Sequence, residues 1–97
     1  MKHSLERAVV RIFDTRQRVV GAGCLVAPRR VLTCAHVVAQ AADDPLSRNR
    51  DMTAVSMDFP LLAPGDLYRA HLIFQDVESD IAGLELERAV PAEAMAL

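Results

Sequence analysis

A chain of 97 residues has room for one domain with a modest core, near the lower end of independent stability. Its net charge of −2 argues against nucleic acid or an anionic membrane as the main partner, and its basic residues are scattered apart from Arg29-Arg30 and Arg48/Arg50. With 52% apolar residues but only 4% aromatics, the core has to be built from Val, Leu, Ala, Ile and Met.

Residues 1–7 alternate polar and charged types without an apolar run, so they read as a tail and not as a signal peptide. No later apolar run approaches the length of a membrane span. Ala8–Phe13 is an opening strand, with either Val10 and Ile12 or Val9 and Phe13 facing inward according to register. Asp14-Thr15-Arg16-Gln17 is polar and turn-like. Arg18–Ala27 is a second, longer strand whose two glycines, Gly21 and Gly23, suggest a bulge or a close backbone approach. Pro28-Arg29-Arg30 turns the chain back into Val31-Leu32-Thr33, which forms an antiparallel hairpin with the strand before it.

That third strand ends abruptly at His36. Val37–Ala42 continue as a short helix, stopped by Asp43-Asp44-Pro45, and residues 45–51 form a polar loop. Met52–Phe59 reads as a fourth strand. Pro60–Asp66 is turn-rich, and Leu67–Phe74 is a fifth strand with Tyr68, Ala70, Leu72 and Phe74 on one face. Asp80–Leu86 is the sixth. Six strands joined by short polar turns, with no long helix, predict an all-β fold, a six-stranded antiparallel closed β-barrel over residues 8–88. Closure also removes the exposed edges that a small sheet would otherwise have to protect.

Three segments share one pattern. Thr33-Cys34-Ala35-His36 is similar to the Thr-Ala-Ala-His segment of chymotrypsin-like (trypsin-fold) serine proteases, and His36 falls on the catalytic histidine. Asp80-Ile81-Ala82-Gly83-Leu84-Glu85-Leu86 resembles the strand that opens with the histidine's orienting aspartate. Gly21-Ala22-Gly23-Cys24-Leu25-Val26 resembles the strand that precedes the histidine. The separation of 80 − 36 = 44 residues suits the family order of histidine, aspartate, serine. The resemblance implies that His36 is general base and acid and that Asp80 fixes its tautomer. It also implies that residues 89–97 begin the linker to a second barrel.

The family's Gly-Asp-Ser-Gly-Gly segment is not among these residues, and none of Ser4, Ser47, Ser56 and Ser79 has glycines around it to form that turn. The expectation is therefore the N-terminal half of a trypsin-like serine endopeptidase, truncated before its nucleophile and inactive alone. The alternative is a non-catalytic trypsin-like barrel serving protein interaction in a bacterial signalling or defence protein. The expected partners are a polypeptide substrate once a second barrel completes the site, and self-association or a partner protein on the open barrel face. Nucleic acid and membrane are not expected. The lack of a zymogen-type activation sequence points to an intracellular, bacterial type of relative, hence a cytoplasmic location.

No cofactor and no metal site is expected. A zinc set from Cys24, Cys34, His36 and His71 lacks ligand-type spacing such as Cys-x-x-Cys. Both cysteines read as free thiols, with Cys34 a small inert residue. Asp58, Asp76 and Glu78 read as ordinary solvated carboxylates, and His3 and His71 as exposed or ordinary barrel residues.

Overall fold

A computed structural model of the chain describes residues 4–42 and 53–97. Residues 1–3, the helix stop and polar loop expected over 43–51, and Met52 of the fourth strand lie outside the described residues. The elements in order are α1 (Ser4–Ala8), β1 (Val9–Phe13), β2 (Val19–Ala27), β3 (Arg30–Thr33), α2 (Ala35–Ala41), β4 (Ala54–Phe59), β5 (Ala63–Asp76) and β6 (Ile81–Leu86). No helix among the described residues is long and apolar enough to cross a membrane.

The strands close into an antiparallel barrel in the order β1-β2-β3-β6-β5-β4, as the sequence predicts. The ring is sealed where β4 returns to β1, with Arg11 opposite Asp58, Ile12 opposite Met57 and Phe13 opposite Ser56. The expected β2–β3 hairpin forms, pairing Cys24 with Leu32 and Leu25 with Val31. Pairing settles the open register of the first strand: Val10 and Ile12 are fully buried, while Val9 and Phe13 lie half-buried on the outer side.

Inward positions supply a core of aliphatic side chains with two rings. Leu25, Val31, Val55, Met57, Leu84 and Leu86 are buried, and Phe59 meets Tyr68 edge-on with centroids 5.4 Å apart. The Arg88 guanidinium covers the outer face of Tyr68 at 3.6 Å, a cation–π contact at the barrel rim. Val37, Val38 and Ala41 of α2 add to the same core from one end. Gly21 makes room for Val37, because a Cβ there would lie 2.6 Å from one of its methyls. This is the close approach expected of the β2 glycines.

Three expectations need correction. Residues 4–7, expected within a tail, and Ala8, expected to open the first strand, form the short helix α1, and β1 begins at Val9. The fifth strand is longer than Leu67–Phe74, running back through Pro64-Gly65-Asp66, which reads as a turn. Gly65 takes φ 85°, where glycine is at ease, and its N–H donates to the Asp58 carboxylate, so the strand bends without ending. Phe74 does not share the inward face of Tyr68, Ala70 and Leu72. The register slips by one residue between Leu72 and Phe74, a bulge that turns the ring outward over Gly83.

Both terminal segments pack on the barrel. Ala8 at the end of α1 is fully buried. The Met95 N–H donates to the Arg7 carbonyl at 3.1 Å, and the Leu97 N–H to the Leu25 carbonyl at 2.9 Å.

Candidate active site

His36 is presented by the junction of β3 and α2. Thr33 pins the end of β3, its hydroxyl donating to the Ala22 carbonyl at 2.8 Å. Cys34 is still extended (φ −89°, ψ 142°) and serves as the N-cap of α2, yet makes no side-chain cap of its own. The first helical N–H groups need acceptors from elsewhere. With Val37 and Val38 facing the core, His36 in the first turn is left outside, its ring 61% exposed.

Asp80 arrives from the tight turn between β5 and β6. The turn is closed by the Asp80 N–H donating to the Val77 carbonyl, and by Asp76, which accepts from the Ser79 N–H and hydroxyl. Asp80 itself has φ 56°, in the left-handed region.

The two residues meet. Asp80 Oδ1 accepts the His36 N–H at 2.8 Å, supplying the cap that Cys34 does not. Asp80 Oδ2 lies 2.6 Å from His36 Nδ1. The one carboxylate therefore fixes both the start of the helix and the plane of the imidazole. The His36 N–H and ring hold the Asp80 carboxyl below the ordinary carboxylate value, against the opposing push of desolvation. An ionised carboxylate at Nδ1 keeps the ring proton there and leaves Nε2 as the acceptor.

The cysteines are both free, half-buried thiols. Cys34 differs from Cys24 in its surroundings: ligand atoms of Cys34, His36 and Asp80 all lie within 4.8 Å of one another. His71 is remote from this group, on β5, where its Nε2 lies 2.5 Å from Glu87. Among the described residues no serine hydroxyl bonds to the His36 ring. Ser56 sits within β4, and the Ser79 hydroxyl is committed to Asp76.

Asp58 corrects the sequence reading most clearly. It is fully buried, not solvated, and receives two bonds from Arg11, Nε to Oδ1 at 3.0 Å and Nη2 to Oδ2 at 2.7 Å. Burial pushes its carboxyl up, but the Arg11 bonds, the Gly65 N–H and the Arg11 charge together outweigh this and hold it below the ordinary value. This is a structural pair at the β1–β4 seam, not part of the His36 site.

The family profile described as a trypsin-like peptidase domain matches residues 21–97. The chain belongs to this family. Solved structures agree with the assignment. The domain is similar to the protease Rv3671c from M. tuberculosis in its active form, with 29% identity and a TM-score of 0.59 over 91% of this chain and 34% of that one. An inactive form of Rv3671c, a serine-to-alanine mutant, also matches at 29% identity, with a TM-score of 0.60 over 91% of this chain and 37% of that one. The MamO protease domain from Magnetospirillum magneticum shares the fold at 17% identity, with a TM-score of 0.63 over 94% of this chain and 45% of that one. The chain thus spans less than half of each of these structures. No protein among the curated sequences is a significant match.

Proposed function

We propose that this trypsin-like domain supplies the general base and its orienting carboxylate to a serine endopeptidase. A serine nucleophile and oxyanion hole from a second barrel, outside these 97 residues, complete the site. The observation that carries this reading is the 2.6 Å contact between His36 Nδ1 and Asp80 Oδ2 on an exposed rim. In the completed enzyme, Nε2 of His36 takes the serine proton as the hydroxyl attacks the peptide carbonyl, then returns it to the leaving amine. Asp80 holds the tautomer and stabilises the imidazolium in between. The 97 residues alone have a base without a hydroxyl to activate, so they do not turn over peptides.

Two measurements test this. The chain alone, incubated with fluorogenic peptides, is expected to show no cleavage. The native gene product is expected to react with a fluorophosphonate probe, and to lose labelling on His36→Ala. Asp80→Asn is expected to lower turnover by about 10⁴-fold, the size of effect known for the equivalent change in this family's type enzyme. Cleavage by the chain alone that depends on His36, or a native product with no reactive serine, refutes the proposal.

A second reading, a protein-interaction barrel without catalysis, has its own support. Leu32 on β3, Ile81 on β6, and Ile73 and Phe74 on β5 are exposed apolar side chains on adjacent strands. Such a strip favours a covering partner, either a second barrel or a second copy. An unlabelled native product that elutes as a complex would select this reading. We also place the chain in the cytoplasm, where two free thiols stay reduced; recovery from an oxidising compartment on fractionation of the source cells refutes that placement.

A further inference from the structure

We propose that Cys34, His36 and Asp80 form a binding site for a zinc-type divalent ion, and that the metal silences the histidine as a base. The silencing rests on the function proposed above, but the metal site does not.

The three donors come from three places in the fold: the last extended residue after β3, the first turn of α2, and the β5–β6 turn. Their ligand atoms converge within 4.8 Å. In a tetrahedral zinc site, with sulfur at about 2.3 Å and nitrogen or oxygen at about 2.0 Å, ligand atoms stand about 3.3 to 3.6 Å apart. The thiol therefore closes in by up to about 1.3 Å. The His36 Nδ1 to Asp80 Oδ2 separation opens from 2.6 Å. Side chains 61% and 44% exposed make that adjustment by small rotations. The bond from the His36 N–H to Asp80 Oδ1 survives, and it orients the carboxylate as an outer hydrogen bond orients a metal ligand.

The donor set selects the metal. One thiolate, one imidazole and one carboxylate suit zinc and its neighbours, whereas calcium and magnesium want oxygen alone. Three protein ligands leave the fourth position to water. This set differs from the one weighed in the sequence, because the fold replaces Cys24 and His71 with Asp80.

Binding is proton-balanced and involves no redox change. The Cys34 thiol releases its proton to solvent and becomes the thiolate ligand. The neutral imidazole moves its proton from Nδ1 to Nε2 and donates the freed Nδ1 lone pair to the metal. The ring then carries hydrogen where it would otherwise accept one from a serine. One proton leaves per ion bound.

The test uses the chain and cobalt(II) as a spectroscopic stand-in for zinc. A cobalt–thiolate charge-transfer band in the near ultraviolet is expected, saturating at one equivalent and bleached by added zinc. The band persists in Cys24→Ala. It disappears in Cys34→Ala and in Cys34→Ser, and cobalt binding weakens by more than about tenfold in Asp80→Asn. Circular dichroism confirms that each variant is folded. Absence of the band, its survival in both Cys34 variants, its dependence on Cys24, or unchanged affinity in Asp80→Asn overturns the proposal. No substrate enters this measurement, so failure of the peptidase reading leaves the band intact, and failure of the metal site leaves fluorophosphonate labelling intact.

Discussion

Gly21→Ala tests whether packing beneath α2 holds the candidate site in place. At a glycine whose backbone an alanine can adopt, this change stabilises by about 0.4 to 1 kcal/mol, by restricting the unfolded chain. Gly21 has no positive φ, so that gain is available. Against it, the new Cβ would lie 2.6 and 2.7 Å from the two methyls of Val37. Ordinary carbon contacts need about 3.5 to 4.0 Å, so Val37 or the backbone must retreat by about 1 Å. A β-branched residue in a helix has essentially one rotamer, and Val37 is buried, so rotation does not relieve the clash. Overpacking of this kind costs about 1 to 3 kcal/mol. From the middle of each range, about 2 against about 0.7 kcal/mol, the clash outweighs the entropic gain and the net expectation is a loss of about 1.3 kcal/mol. At about 4 to 8 °C per kcal/mol for a domain of this size, Tm falls by about 5 to 10 °C. Thermal and urea melts followed by far-ultraviolet circular dichroism measure it. A double-mutant cycle with Val37→Ala isolates the contact: the double variant should be more stable than the sum of the single losses by about 0.5 to 3 kcal/mol. A Gly21→Ala variant as stable as the parent, or strict additivity in the cycle, refutes the reasoning.

Leu84→Ala empties a fully buried position on β6 and should cost about 2 to 5 kcal/mol, read as a lower urea midpoint with unchanged slope. Asp58→Asn should change the acid limb of the stability profile. The folded carboxyl sits below its unfolded value, so its stabilisation is complete above the unfolded pKa near about 4 and is lost as pH falls through the folded one. Urea midpoints of the parent are therefore expected to drop below about pH 4, and those of the Asn variant to start lower at neutral pH and decline less steeply.

The barrel was legible because its strands are short, apolar and punctuated by polar turns, and because a six-stranded ring leaves few alternative orders. The meeting of His36 and Asp80 was legible through the motifs around each, although the residues are 44 apart in sequence. Asp58 was not. It stands in an imperfectly alternating strand, and nothing local distinguishes it from a solvated acid. Its partner Arg11 is 47 residues away and becomes its neighbour only once β4 closes on β1. The outward turn of Phe74 is not legible, because strict alternation carries no signal for a bulge, which depends on how β5 accommodates β6. The capping of α2 by Asp80 was equally hidden, since a helix start normally advertises its own Ser, Thr, Asp or Asn, and this one begins at Cys34.

The left-handed backbone at Asp80 narrows what that position can become. Among side chains other than glycine, only the short polar Asp and Asn settle there readily. A glutamate would keep the negative charge but oppose the peptide's handedness, while an asparagine would suit the peptide and discard the charge. Under the role proposed for Asp80, chemistry and chain geometry thus each veto one of the two nearest replacements.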